Sequence, residues 1–288
     1  MVEISDFNTK EQNTWCPGCL NNVILNSVKK AFTNLVNNGI IKKENIVITT
    51  GIGCAAKIFD YVNVNALYSI HGRTIPTSLG IKIANPELTV VAFGGDGDVY
   101  AEGIGHLIHG ARKNIDMTMI VHDNQIFALT TGQVTPTTEP GYSTKSTPFG
   151  AYDRPMNPIL LALSSGATFV ARGTTLNPDH LAKIIEEAIK HKGFSFVEVL
   201  QPCLAFHNSI KDLQGKTYIL DNNNLSDFNN ALKIAQEWDY TKYEDAKIPI
   251  GIFYKTEKKT LEEKLIAHGP FYKIKRNINI DELLNGFK

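Results

Sequence analysis

The chain has 288 residues, 43% hydrophobic and 20% charged, with 29 basic residues against 29 acidic ones. That length supports one large domain, or one domain with an appendage, and buries enough surface on folding to need no stapling. Balanced charge, no basic run, no apolar stretch of roughly 18 residues and a polar opening over Met1–Asn13 exclude a nucleic-acid binder, a membrane span and a signal peptide, so a cytoplasmic protein is expected.

Taken in chain order, apolar β-type runs alternate with helical stripes. Ile24, Val28, Phe32 and Leu35 mark a first helix. Strands are expected at Asn45–Thr50, Leu67–Ile70 and Leu88–Phe93. A second stripe follows at Tyr100, Ile104, Leu107, Ile108 and Ala111. Another strand is expected at Met117–Val121, followed by the Thr-, Gly- and Pro-rich segment Leu129–Pro148, whose length suggests a functional cover. Asn157-Pro158 and Asn177-Pro178 each read as an N-cap with proline at the first helical position. Between and after them come strands at Thr168–Ala171 and Ser195–Leu200 and a helix with Leu181, Ile184, Ile185 and Ala188 on one face.

The character changes after about Ser209. Asn222, Asn223 and Asn224 interrupt the pattern. A helix is expected around Phe228–Trp238, a strand at Ile248–Tyr254, and a helix with the capping box Thr260-x-x-Glu263. Most strands are continuous apolar runs, as buried parallel strands are. The fold class is therefore α/β, a doubly wound, mostly parallel sheet over 1–208, with 209–288 a C-terminal extension packed on it.

Ligands of open α/β sheets gather outside the carboxyl ends of the strands. Five strands here run into unusual sequence at that end: Gly51-Ile52-Gly53-Cys54, His71-Gly72-Arg73, Gly94-Gly95-Asp96-Gly97-Asp98, His122-Asp123-Asn124 and Gln201-Pro202-Cys203. Gly95-Asp96-Gly97 opens the thiamine diphosphate pattern, which continues with an Asn on the next strand's end. Asn124 lies 28 positions after Asp96, the span of one helix between parallel strands, roughly 25–30 residues. A diphosphate needs a helix N-terminus, glycines for close backbone approach, and a divalent cation. Magnesium takes oxygen ligands, here the Asp96 carboxylate, the Asn124 amide oxygen and the Ile126 carbonyl. The plainer alternative is a turn with Asp98 as N-cap.

Four cysteines, Cys16, Cys19, Cys54 and Cys203, are the number that closes one Fe–S cluster or one structural zinc. Cys16-x-x-Cys19 fits either, whereas Cys54 and Cys203 stand alone on separate strand ends, and Cys54 shares the crevice of the proposed diphosphate.

With Trp15-Cys16-Pro17-Gly18-Cys19, Gly51-Ile52-Gly53-Cys54, His71-Gly72-Arg73, Gly95-Asp96-Gly97-Asp98, Leu129-Thr130-Thr131-Gly132-Gln133, Thr135-Pro136-Thr137-Thr138, Thr147-Pro148 and Pro202-Cys203 in order, the chain resembles the β subunits of 2-oxoacid:ferredoxin oxidoreductases. The resemblance implies a diphosphate-type thiamine diphosphate-binding domain holding Mg²⁺ and a 4Fe–4S cluster on the four cysteines. It implies oxidative decarboxylation of a 2-oxoacid, pyruvate or 2-oxoglutarate, with coenzyme A to acyl-CoA and CO₂, electrons passing through the cluster to ferredoxin. It also implies an α (or fused γ-α) partner subunit that supplies the activating glutamate, so that no catalytic residue is certain in this chain.

By the same resemblance, cofactor contacts fall on Ile52, Gly53, Cys54 and Ala55, on Gly95, Gly97 and Asp98, and on Ala128, Leu129 and Thr130. His71 reads as a cofactor or substrate contact or as a plain helix-entry residue. Lys57 and Arg73 are candidates for diphosphate or substrate carboxylate. Thr131 stands where a lysine would favour a second carboxylate. His106 and His109 read as packing residues. The competing readings are a non-redox thiamine diphosphate-dependent decarboxylase subunit with structural zinc, and a zinc-stabilised non-catalytic scaffold.

Overall fold

β-Branched and apolar runs become the strands of one eight-stranded sheet in the computed structural model, which describes residues 1–221, 224–241, 243–266, 270–273 and 279–287. In chain order the strands are β1 (Ile46–Thr50), β2 (Asn65–Tyr68), β3 (Thr89–Gly95), β4 (Met117–Asp123), β5 (Ile126–Phe127), β6 (Gln133–Val134), β7 (Phe169–Thr174), β8 (Phe194–Leu200), β9 (Thr217–Ile219) and β10 (Ile248–Lys255). The sheet order is β2-β1-β3-β4-β8-β7-β10-β9, with β5 and β6 forming a separate antiparallel ribbon. Pairing is parallel from β2 through to β7; β10 then joins β7 antiparallel, and β9 pairs parallel with β10. The segment after Ser209 thus extends the sheet itself, and Asn222 and Asn223 lie outside the described residues.

Helices α1 (Asn21–Asn37), α2 (Thr74–Ala84), α3 (Ile104–Lys113), α4 (Pro158–Ser164), α5 (Pro178–Lys190), α6 (Ile210–Leu213), α7 (Phe228–Ala235), α8 (Leu261–Leu265) and α9 (Ile280–Asn285) complete the order. The period-2 alternation of the strands decides which helix each residue meets. Val91, Phe93, Ile120 and Val197 face the stripes of α1 and α5. Val90, Ala92, Met119 and Phe196 face α3, α4 and α7. Burial on both faces is what makes these runs read as continuously apolar. Asn157 and Asn177 cap α4 and α5 as expected, accepting from Leu160 N and His180 N, and the Thr260–Glu263 box opens α8.

Two expectations are corrected and one element is added. The Leu67–Ile70 run is strand only to Tyr68 and begins earlier, at Asn65; as an edge strand with one neighbour it leaves Leu67 and Tyr68 exposed. The stripe from Tyr100 to Ala111 is two elements, a π-helical turn at Gly97–Glu102 and then α3, joined at Gly103, where a Cβ would stand 2.9 and 3.0 Å from the Asp98 and Val99 carbonyls. The short strand β9, whose residues are half-buried or exposed, left no periodic trace in the sequence.

The chain leaves β1 for β2 on one side and returns to β3 on the other. The β1/β3 boundary is therefore a topological switch point, and the carboxyl ends of β1, β3 and β4 open there side by side. Among the described residues, no helix is long and apolar enough to cross a membrane.

Candidate functional site

Asp98 organises the rim. Its Oδ1 accepts from Ile52 N at 3.2 Å and from Gly72 N at 2.7 Å, tying the ends of β1 and β2 to the turn after β3. Gly51 is required beneath it, since a Cβ there would stand 1.8 Å from Asp98 Oδ2. The cap position falls on Asp96, which makes no side-chain cap bond, and Asp98 lies inside the helical turn, so Asp98 is not its N-cap. Burial raises its carboxyl above the ordinary range. His71 Nδ1 lies 2.5 Å from Glu102 Oε2 and 3.2 Å from Asp98 Oδ1, close in distance but without hydrogen-bond alignment.

Around this frame opens a cleft of about 80 Å³. The end of β1 contributes Ile52, Gly53, Cys54 and Ala55, and the loop after β2 contributes His71. The turn after β3 contributes Gly95, Asp96, Gly97 and Asp98. Beyond β4 come Asn124, Ile126, Ala128, Leu129 and Thr130, with Phe127 the one lining residue the sequence did not suggest. Phe127 packs on Gly97, where a Cβ would fall 2.2 Å from its ring.

Asp96 is buried, and burial pushes its carboxyl up to about 6 against the opposing pull of the Thr135 and Thr137 hydroxyls. Thr137 Oγ1 lies 3.2 Å from Asp96 Oδ2 and 2.8 Å from Asp123 Oδ1. Asp123 is pushed well up by burial and by the neighbouring Asp96 and Glu198 carboxylates. Asn124 Oδ1 accepts from Ile126 N at 3.1 Å. Thr137 and Asp123 escaped the sequence reading of the site. Both lay in segments already quoted, Thr137 in Thr135-Pro136-Thr137-Thr138 and Asp123 in His122-Asp123-Asn124, but neither was given a role. The Thr-rich segment lines the cleft through Leu129 and Thr130, reaches Asp96 from behind through the buried Thr137, and pairs its β6 with β5.

A second cavity, of about 230 Å³, is lined by Cys16, Cys19, Cys54 and Cys203 together. It shares Cys54, Asn124, Ala128 and Leu129 with the cleft, so the two adjoin. All four thiols are free. Trp15 Nε1 donates to the Cys54 carbonyl at 2.7 Å, anchoring the N-terminal Cys-x-x-Cys loop to the end of β1. Burial pushes Cys54 up to about 11, opposed by the Lys57 charge, and raises Cys19, opposed by hydrogen bonds from Asn21. Behind the cavity, His122 is pushed down to about 3 by burial and holds Asn21 Oδ1 at 2.7 Å.

Among the described residues, no three His, Cys, Asp or Glu side chains gather closely enough to hold a metal ion. Tetrahedral zinc would need its thiolates about 3.8 Å apart, from Zn–S bonds of about 2.3 Å. A cluster carries each thiolate on a different iron and so spreads them further.

Two candidates sit elsewhere than expected. Lys57 lines the thiol cavity, not the cleft, and donates to Thr14 O at 3.1 Å. Arg73 lines neither cavity; its Nη1 donates to the His71 and Glu102 carbonyls at 3.3 and 3.2 Å, which leaves the guanidinium holding the rim. Thr131 lines the thiol cavity with φ 77°. His109 faces solvent instead of packing, and His106 is half-buried.

Comparison with known proteins bears on this arrangement. Residues 51–199 match the family described as "Thiamine pyrophosphate enzyme, C-terminal TPP binding domain", and residues 206–268 match the family of the C-terminal part of the pyruvate ferredoxin oxidoreductase beta chain. The chain is 40% identical over 277 residues to a 2-oxoacid:ferredoxin oxidoreductase subunit beta of Sulfolobus sp, covering 92% of this chain and 89% of that one. It is 41% identical over 212 residues to 2-oxoglutarate synthase subunit KorB of Archaeoglobus fulgidus, covering 73% and 77%. Among solved structures, the 2-oxoglutarate:ferredoxin oxidoreductase from Magnetococcus marinus, with 2-oxoglutarate, coenzyme A and succinyl-CoA bound, superposes with a TM-score of 0.90 at 31% identity, covering 100% of this chain and 96% of that one.

Proposed function

The chain belongs to the β subunits of the 2-oxoacid:ferredoxin oxidoreductases, and from that premise we propose that its cleft holds Mg²⁺ and the diphosphate of thiamine diphosphate beside a 4Fe–4S cluster on Cys16, Cys19, Cys54 and Cys203. The observation that carries the reading is the adjoining of two cavities, one lined by Asp96, Asn124 and Ile126, the other by four free thiols, with Cys54 common to both.

The residues suit these groups. Asp96 and Asn124 are hard oxygen donors of the kind Mg²⁺ prefers. Burial that raises the Asp96 carboxyl is offset when a dication sits against it. Gly95 and Gly97 line the cleft at the start of a helical turn, where backbone N–H groups suit a phosphate. The four thiols face one cavity, and four is the number that closes one 4Fe–4S cluster. When bound, thiamine diphosphate supplies the electron sink for loss of CO₂ from a 2-oxoacid, and the cluster takes the electrons on to ferredoxin.

The chain's own residues bind and shield. Asp96 and Asn124 fix the cation, and the Ile52–Ala55 backbone and Leu129–Thr130 line the walls. Asp98 keeps the strand ends together, and Asn21 donates hydrogen bonds toward the Cys19 sulfur. Lys57 places its charge near Cys54, where it favours the thiolate form. The substrate is a 2-oxoacid, pyruvate or 2-oxoglutarate, and an α or fused γ-α partner supplies the activating glutamate.

Co-purification with the partner subunit under argon tests the reading. The expected sample is brown, bleaches with dithionite, and reduces a viologen acceptor in the presence of coenzyme A and a 2-oxoacid from a panel containing pyruvate and 2-oxoglutarate. Asp96→Ala is expected to lose Mg²⁺ and thiamine diphosphate together while keeping its iron. A colourless, iron-free complex that still releases CO₂ would establish the non-redox decarboxylase instead.

A further inference from the structure

The geometry points to a task for the C-terminal segment: we infer that Tyr243 is a positioning residue which, through Gln125, fixes the corner that presents Asn124 and Ile126 to the cleft. The inference rests on the function proposed above and deepens it.

Gln125 is the turning residue between β4 and β5. Its φ of 62° is the left-handed conformation, which favours glycine over residues with a side chain. It is 4% exposed and lines neither cavity, whereas its neighbours Asn124 and Ile126 line the cleft. The reversal at Gln125 is what lets those two residues face the same way, with Asn124 Oδ1 closing on Ile126 N.

A disfavoured conformation persists only where its surroundings impose it. Four hydrogen bonds do so here. Gln125 N donates to Asp123 Oδ1 at 3.1 Å, Gln125 Nε2 donates to Thr137 O at 2.8 Å, and Thr138 Oγ1 donates to Gln125 O at 2.6 Å. The fourth comes from 118 residues away, where the Tyr243 hydroxyl donates to Gln125 Oε1 at 2.5 Å. Tyr243 is itself anchored: its ring packs on Trp238 at 5.5 Å, Trp238 stacks on Tyr240 at 3.9 Å, and both lie against the buried Arg172 guanidinium. A side chain that neither touches the cleft nor fills the main core thus connects the last third of the chain to the cation corner.

The test uses the complex with its partner subunit, stripped by chelation. Mn²⁺ is the probe, read by electron paramagnetic resonance in the presence of thiamine diphosphate, with the thermal midpoint and iron content as controls. Tyr243→Phe is expected to weaken Mn²⁺ binding about tenfold, the order of one buried hydrogen bond, with iron content unchanged and a thermal midpoint lower by only a few degrees. Gln125→Gly in the Tyr243→Phe background is expected to restore binding to within about twofold, because glycine takes the left-handed conformation unaided. Gln125→Val, which resists it, is expected to bind at least as weakly as Tyr243→Phe.

Wild-type affinity in Tyr243→Phe, or a loss that persists undiminished in the glycine background, overturns the inference while leaving the proposed function standing. A wild type that takes up no Mn²⁺ overturns the proposed function, and this inference with it. Should Tyr243→Phe fail to fold, the Gln125→Gly and Gln125→Val pair decides the matter, and equal binding by the two counts against the clamp.

Discussion

His122 and His191 are held neutral inside the fold, the first pushed down to about 3 by burial, the second down to about 4 by burial and the Lys255 charge. An unfolded histidine titrates near 6.5. As pH falls below that value the unfolded chain takes up protons that the folded chain refuses, so these residues favour unfolding progressively from about pH 6.5 down to about pH 4 for His191 and about pH 3 for His122, and are neutral in effect above it. The buried acids Asp96 and Asp123 act with the opposite sign, their raised carboxyls favouring the fold at low pH and losing that contribution as pH rises through the folded values. The difference between wild type and His191→Gln isolates one histidine. The fall in thermal midpoint between about pH 7 and about pH 4.5 is expected to be smaller in the variant, and an equal fall would show that His191 does not contribute. At this scale the sequence identified residues by type and place. It could not assign Arg73 to two backbone carbonyls or Lys57 to the thiol side, because those outcomes depend on which neighbours the loops bring near.

The strand ends show why element and site cannot be separated here. Gly51, Asp98 and Gly72 form one junction across the ends of β1, β2 and β3. Gly51→Ala forces a methyl group into the Asp98 carboxylate and is expected to cost about 1–3 kcal/mol, with loss of thiamine diphosphate binding; chemical denaturation and cofactor titration check the two effects. The helix caps belong to the same scale. Thr260→Ala removes one half of the capping box on α8 and is expected to cost about 1 kcal/mol with no effect on cofactor binding, measured in the same way. Caps and interior strands were legible because their signals are local: a side chain reaching its own helix start, or a run of apolar residues with both faces covered. The edge strand β2 was misread because exposure at a sheet edge is imposed from outside the segment, and the π-helical turn after Asp96 because its apolar stripe runs on into α3 without a break in period.

Across the whole molecule, Arg172 and Glu198 form a fully buried ion pair at 2.7 Å between β7 and β8, roofed by Trp238 and Tyr240 from the C-terminal segment. Arg172→Met leaves the Glu198 carboxylate buried and unpaired, an expected loss of about 3–5 kcal/mol in a denaturant melt. Adding Glu198→Gln is expected to recover part of it, and strict additivity of the two changes would argue that the residues act independently. The sequence by itself determined the α/β class, the alternation that covers both sheet faces, and the carboxyl-end motifs from which Asp96, Asn124 and the four cysteines could be named. Those features are written in periodicity and in short spacings along the chain. Only the tertiary structure decided that two cavities adjoin through Cys54, that Asp98 ties strand ends instead of capping a helix, and that Tyr243 reaches Gln125. Such contacts join residues tens to more than a hundred positions apart, and no local pattern encodes which of them the folded sheet brings within a hydrogen bond.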